Sequence, residues 1–375
     1  MSQMPIFNNF ENKLESFFEE NEEISFAKDD FKKSVSNAFI YIYSNFENKI
    51  EKNEIKGINE IKGINEIKGK NEIKEINDFS NFSLKEKSNL LHLFSISSDF
   101  ENANLIFSDI KNMYCNEKNG NLKDISARDS ARVLHSIIIY EAKYKEMNKQ
   151  INESKHKEMN EKINEKINEK INEKINEKIN EKINEKINEK INEKINEEIN
   201  EEINEKINEE INNLKKELIC RIVSEKLDQK SDIYDATYII NSLGFAGIRA
   251  EDYENILINN ENIKQKYPGT TALILRALCA QIKAETALNV KNENRNEIKA
   301  YIENSGEWLL KNSNEWKYPA TTSLVLRGLN LIYPKKDLIC HFIDLIKRQE
   351  KNGCFDNLNT TVLILIAFYE FFEIK

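Results

Sequence analysis

The chain has 375 residues with 55 basic and 64 acidic side chains, a net charge of −9, and only 39% hydrophobic residues against 32% charged. That apolar share lies below the roughly 45–50% of an ordinary globular protein, so part of the chain contributes little to a core. The low counts of 10 Gly and 4 Pro disfavour turn-rich all-β and Rossmann-type folds and predict an all-α one. Acidic and basic residues interleave, leaving no stripe on which a phosphate backbone would release counterions, so nucleic acid is not an expected partner.

Residues 1–26 carry acidic side chains where a signal peptide has basic and apolar ones. Five cysteines, at 115, 220, 279, 340 and 354, show neither paired nor zinc-type spacing. Both features point to a reducing cytoplasm. The apolar runs 271–282, interrupted by Arg276, and 362–369, ended by Glu370, fall short of the ~20 residues of a membrane span. A soluble protein without a membrane span is expected.

In chain order, residues 31–49 read as a first amphipathic helix. Residues 53–78 follow, a low-complexity insertion reading Gly-Ile-Asn-Glu-Ile-Lys from Gly57; about two copies cannot close a stable coil, and a loop is predicted. Ser83-Leu84-Lys85-Glu86 is a capping box opening the next helix. A second insertion, 148–213, repeats Ile-Asn-Glu-Lys, with Ile at every fourth position from 163 to 211. At about 100° per residue each Ile steps ~40° round a helix, so no fixed apolar face forms and a long, marginally stable solvated helix or disordered rod is predicted, not a heptad coiled coil. Setting both insertions aside leaves about 280 residues, enough for one large domain spanning 1–375.

That remainder repeats itself. Tyr267-Pro268-Gly269-Thr270-Thr271-Ala272-Leu273-Ile274-Leu275-Arg276 matches Tyr318-Pro319-Ala320-Thr321-Thr322-Ser323-Leu324-Val325-Leu326-Arg327, with a third copy from Asn359-Thr360-Thr361 and weaker ones at Asp235 and Asp129. The column Asp129, Asp235, Thr270, Thr321, Thr360 has the oxygens a helix N-cap wants, and is read as the caps. The capped helices are apolar nearly all round and therefore covered by protein on all sides. The segments between are amphipathic, with one stripe of Ile298, Tyr301, Ile302, Ser305, Trp308 and Leu309 and another of Leu338, Ile339, Phe342, Leu345 and Ile346. About six hairpins, each of one outer and one inner helix, are predicted; they close into an (α/α)6 toroid or run on as an open superhelix.

The last repeat, Gln349-Glu350-Lys351-Asn352-Gly353-Cys354-Phe355, resembles the Gln-x-x-x-Gly-x-Trp motif of triterpene cyclases, with Phe in place of Trp, and the Thr-Thr-x-Leu-x-Leu helix after it looks like the family's inner helix. The resemblance is to the α/α-toroid superfamily of terpenoid cyclases and protein prenyltransferase β subunits. It implies an apolar lumen for an isoprenoid-type ligand and, if the protein is an enzyme, a class II cyclisation as isomerase or lyase. Class II members protonate their substrate from an Asp-x-Asp-Asp-Thr motif. Its nearest match here is Ile233-Tyr234-Asp235-Ala236-Thr237, with Asp235 the candidate acid, Asp232 a second carboxylate, and an ordinary cap the alternative. The zinc ligands of the prenyltransferases have no match at the family's spacing, so no metal or cofactor is expected, Mg²⁺ entering only with a diphosphate substrate.

Arg276 and Arg327 share one column with His135 and Asn241. An Arg in an apolar helix must face either a lumen or a buried carboxylate. In a toroid the inner-helix N-termini gather at one mouth, where the two arginines, Asp129 and the second threonines Thr271, Thr322 and Thr361 are the candidate substrate-binding set. Phe368, Tyr369, Phe371, Phe372, Trp316 and Tyr318 either line the lumen, as the carbocation-stabilising aromatics of cyclases do, or form core. The alternative function is a non-catalytic toroid that binds a peptide or protein; a third is a carbohydrate-active (α/α)6 enzyme with Asp129 and Asp235 as acid and base.

Overall fold

The computed structural model describes residues 5–61, 79, 81–115, 125–172, 204–225, 227, 231–259, 267–289 and 295–372. These are α-helical throughout, joined by turns and short 3-10 segments, and no strand occurs among the described residues. The chain divides into two compact units, one of residues 1–140 and 218–375 and one of residues 141–217. No described helix is long and apolar enough to cross a membrane.

In the larger unit, buried helices alternate with half-exposed ones. The buried set is α3 (Leu84–Ile96), the start of α5 (Ala127–Asn172), α7 (Ile233–Phe245), α9 (Pro268–Leu288), α11 (Pro319–Leu329) and α13 (Leu358–Phe372). The other set is α2 (Lys28–Ile61), α4 (Phe100–Cys115), the end of α6 (204–224), α8 (Glu251–Asn259), α10 (Arg295–Lys311) and α12 (Lys335–Ile346). The stripe expected on α12 is its buried face, and that on α10 is buried except for Tyr301 and Trp308 at its edges, which are half-buried. Residues 53–61 continue α2 rather than forming the expected loop, because Glu and Lys are good helix formers, Ile and Asn are tolerated and a single Gly57 costs only about 1 kcal/mol; the rest of that tract lies outside the described residues.

Each buried helix is tied to the next by at least one hydrogen bond. Ser136 donates to Ser88 O (2.7 Å) between α5 and α3, Ser242 to Ala131 O (2.6 Å) between α7 and α5, and Gln281 to Ile240 O (2.8 Å) between α9 and α7. Arg276 donates to Arg327 O (3.3 Å) between α9 and α11, Asn330 to Glu370 O (3.2 Å) between α11 and α13, and Asn89 to Asn359 Oδ1 (2.7 Å) between α3 and α13. The chain of contacts thus returns from the last buried helix to the first. At the α7/α9 crossing Gly244 lets the backbones meet, since a Cβ there would lie 2.7 Å from the Ala280 carbonyl carbon.

The Gln349–Phe355 motif joins the first and last hairpins. Gln349 Nε2 donates to Ser34 O on α2 (2.8 Å) and to Gly353 O (3.0 Å), and Phe355 is fully buried. Gly353 has φ +88°, and a Cβ on it would overlap the Asn37 carbonyl, so backbone freedom and close approach both demand glycine. Ahead of α2, α1 (Pro5–Glu20) lays Phe10, Phe17 and Phe18 onto Tyr369, Phe371 and Phe372 of α13.

In the smaller unit α5 and α6 run antiparallel. Glu141 accepts from Lys215 (2.5 Å), and Tyr144 and Asn148 both donate to Asn204 (2.9 and 3.2 Å). Tyr144, Ile211 and Leu214 are buried, so the end of the Ile-Asn-Glu-Lys tract has a packed face where none was expected, supplied by its partner helix. Residues 173–203 lie outside the described residues.

Candidate functional site

The column read as N-caps sits three residues inside the helices. The caps are Ser83, Asp232, Tyr267 and Tyr318, with Ser126 and Asn357 in the same role before α5 and α13: Ser126 Oγ accepts from Asp129 N and Asn357 Oδ1 from Thr360 N, each at 3.0 Å. Asp129, Asp235, Thr270, Thr321 and Thr360 are therefore all third helical residues, as is Glu86 of the Ser83 capping box. A carboxylate is as well placed there as at the cap, since both lie in the positive end of the helix dipole. α9 and α11 replace a capping oxygen by a proline at the first turn, whose missing N–H leaves one donor fewer to satisfy.

The shared register aligns the inner faces. Counting from each cap, the sixth residues are Asn89, Arg132, Tyr238, Leu273, Leu324 and Leu363, and the ninth are His92, His135, Asn241, Arg276, Arg327 and Ile366. All but Ile366 line one cavity of about 60 Å³, together with Ser136 and Thr237. At the upper layer its α3–α5–α7 side is polar and its α9–α11–α13 side is leucine.

Beneath lies Glu370 of α13. Arg327 grips it bidentately, Nε to Oε2 at 2.8 Å and Nη2 to Oε1 at 2.6 Å, and Arg276 Nη1 reaches Oε2 at 3.1 Å. Arg276 and Arg327 are only 7% and 8% exposed. Burial alone would raise the Glu370 pKa, but the two guanidinium charges outweigh it and hold the carboxylate well below its usual range. Burial first, and then the Arg327 charge, lower the Arg276 pKa. Two cations thus share one carboxylate.

The histidine rings of His92 and His135 lie 5.3 Å apart, and His135 also meets Phe245 at 4.3 Å. Burial and the nearby Arg327 charge push His92 down to about 3; burial, His92 and both arginines hold His135 well below 6.5. Both are neutral near pH 7, so His92 Nε2, 3.8 Å from Glu370 Oε1, adds no positive charge. At the rim Arg132 pairs with Asp129 (2.6 Å) and covers the Tyr238 ring at 4.3 Å.

The expected site residues scatter around this cavity. Arg276 and Arg327 line it. Asp232 is the α7 cap, accepting from Tyr234 N (2.8 Å) and Asp235 N (3.3 Å), and from Arg128 Nη2 (3.0 Å). Asp235 is the partner of Arg128 Nε. Both carboxylates are therefore taken up by Arg128, with Asp232 exposed and Asp235 half-buried, and neither lines the cavity. Asp129 touches the cavity only through Arg132. Thr271, Thr322 and Thr361 are fully buried and outside the lining. Thr322 and Thr361 instead brace the turns before their helices, Thr322 donating to Trp316 O (2.9 Å) and Thr361 to Asn357 O (2.8 Å).

The aromatic candidates are absent from the lining. Phe368, Tyr369, Phe371 and Phe372 are core against α1, α2 and α12, Trp316 is buried against His341 at 4.8 Å, and Tyr318 is 72% exposed. His341 itself is half-buried. Cys220, Cys279, Cys340 and Cys354 are free thiols, and no group of three or more His, Cys, Asp or Glu among the described residues could hold a metal ion. Sequence reasoning missed Asn89, Arg132, Tyr238 and Glu370 as members of the site. The repeat register places His92 in the arginine column, six residues after Glu86 as Arg276 is six after Thr270, and the signal that would have found Glu370 is that it is the single charge ending an apolar run. No protein-family model, curated protein or solved structure matches the chain.

Proposed function

We propose that the larger unit is an (α/α)6 toroid, similar in arrangement to the terpenoid cyclases and prenyltransferase β subunits, that works as a binding module and takes a peptide segment of a partner protein at the mouth formed by its inner-helix N-termini. The return of contacts from α13 to α3 supports closure over an open superhelix. The observation that carries the binding reading is a row of exposed tyrosines at one end of successive helices. Tyr234, Tyr267 and Tyr318 stand 42%, 62% and 72% exposed at the starts of α7, α9 and α11, and Tyr234 hydrogen-bonds Thr270 (2.9 Å) across that end. Exposed tyrosines with an apolar body and a polar tip are the anchors protein interfaces favour. A cyclase needs the reverse, aromatic faces inside and a large lumen. Here the axial space is about 60 Å³, under half of the ~150 Å³ that holds one benzene.

The test is selection of peptides from a random library against the whole protein, followed by measured affinities. Tyr318→Ala and Tyr267→Ala should each weaken the selected peptide about tenfold or more while leaving the unfolding midpoint unchanged. Native mass spectrometry with farnesyl and geranylgeranyl diphosphate supplies the opposite outcome. A stoichiometric adduct lost in Arg276→Ala would overturn the module reading in favour of an isoprenoid-binding toroid.

A further inference from the structure

We infer that the axial cavity is a binding site for a small monocarboxylate, taken either as a free acid of two to four carbons or as the C-terminal carboxylate of a peptide. The charge count points to an anion. Arg276 and Arg327, both more than nine-tenths buried, share the single carboxylate of Glu370, and the two histidines beside them are neutral near pH 7. One positive charge is left without a counterion at the wall of a partly open cavity. Among the described residues, Nε and Nη2 of Arg276 and Nη1 of Arg327 meet no acceptor. His135 Nδ1 and Asn241 Oδ1, two further buried atoms on lining residues, are also without partners. A buried cation with unused donors is the costly half of an ion pair whose other half enters from outside.

The shape narrows the anion. A guanidinium fork matches the two coplanar oxygens of a carboxylate, which a spherical halide cannot exploit. The surplus is a single charge, so a monoanion neutralises the cavity where a phosphate dianion would overcharge it. One wall of the cavity is Leu273, Leu324 and Leu363, and the facing wall is Asn89, Arg132 and Tyr238. A ligand with an anionic head and a short apolar body fits that division. The volume of about 60 Å³ admits a few water-sized groups and no benzene ring.

The inference rests on the binding-mouth reading for the route of entry, but its test reads the cavity alone. Unfolding midpoints of the full-length protein are measured in formate, acetate, propionate, butyrate, benzoate and chloride at one fixed ionic strength. Acetate or propionate should raise the midpoint by about 2–5 °C at saturation, with benzoate and chloride flat. Arg276→Gln removes the surplus charge and keeps the bidentate Arg327–Glu370 pair, so it should fold with an unchanged or higher midpoint and lose the acetate response. Arg276→Lys, which keeps the charge and loses the fork, should weaken acetate several-fold. Equal responses to acetate, benzoate and chloride would overturn the site, as would an acetate response surviving in Arg276→Gln. The two sources separate by titration with a short peptide as free acid and as amide. Tighter binding of the acid than of acetate assigns the site to a chain terminus, and acetate equal to the peptide acid assigns it to a free small acid. Peptides that bind through the tyrosine rim regardless of amidation, with acetate inert, would refute the carboxylate site while leaving the module reading standing.

Discussion

Glu370 is the position where a one-atom change tests the electrostatics of the charge cluster. Glu370→Gln keeps the shape of the side chain and removes its charge, leaving Arg276 and Arg327 facing each other at 7% and 8% exposure. The carboxylate accepts three charge-assisted hydrogen bonds, at 2.6, 2.8 and 3.1 Å, and the amide oxygen retains at most a weakened share of them. Breaking a buried pair by neutralising one partner typically costs about 3–5 kcal/mol, because the other charge stays behind. Here two charges stay behind, so the upper half of that range is expected. Equilibrium urea unfolding reads the loss directly, and at about 2–4 °C per kcal/mol the midpoint should fall by roughly 8–20 °C. Combining the change with Arg276→Gln removes one of the stranded cations and should restore more than ~1 kcal/mol, a coupling measured by the double-mutant cycle. A loss below about 1 kcal/mol in Glu370→Gln, or strict additivity in the double variant, would refute the reasoning and mean that water screens both arginines.

Gly353→Ala forces a side chain into φ +88° and into the Asn37 carbonyl, which should cost about 3 kcal/mol or more. Gly247→Ala, at φ +72° with open space around it, should cost only ~1–2 kcal/mol; thermal unfolding separates the two, and equal losses would show that the motif does not clamp α2. Acid should destabilise the larger unit before its carboxylates titrate. The histidines are free to protonate near 6.5 when unfolded, whereas folded His92 does so only near about 3 and His135 well below 6.5. Stability is therefore complete above pH ~6.5 and falls as pH drops toward 3, by up to ~1.4 kcal/mol per pH unit for each histidine. Urea unfolding from pH 7.5 to 5 in wild type and in His92→Gln checks this, the variant having the shallower slope.

The all-α class and the alternation of buried and half-exposed helices among the described residues were legible, because each rests on apolar periodicity, which one helix reports about itself. Helix register was half legible. The threonine and aspartate column aligned the repeats correctly, yet the caps lay three residues earlier. Oxygen-bearing side chains stabilise the cap and the third helical residue alike, and Tyr267 and Tyr318 cap without a side-chain bond. The site was legible in its arginines and in His135 and Asn241 of the same column. Asn89, Arg132 and Tyr238 are single residues in weak or divergent repeats, and nothing in their own helices says that they face Leu273, Leu324 and Leu363 across a cavity. The fate of the aromatics was hidden for the same reason. Phe371 and Phe372 belong to core because α1, which has no counterpart in the other repeats, covers them.

Why a buried charge cluster persists at the centre of apolar helices is itself open to measurement. Burying ions is expensive, and replacing a buried Arg–Glu–Arg set by apolar residues of similar volume is often neutral or stabilising by ~1–4 kcal/mol. Arg276, Arg327 and Glu370 form such a set, and their neighbours Leu326, Ala277 and Ile366 are already apolar and buried. Arg276→Met, Arg327→Leu and Glu370→Met made together should therefore give a protein at least as stable as wild type by urea unfolding. If the triple variant holds its stability and loses the acetate response, the charges serve recognition and are carried at a cost to the fold. If it unfolds, the cluster is what specifies how α9, α11 and α13 meet. The hydrogen bond from Arg276 to the Arg327 carbonyl supports that second role for one contact only, whereas the donors left over on both guanidinium groups have no structural use and weigh toward the first.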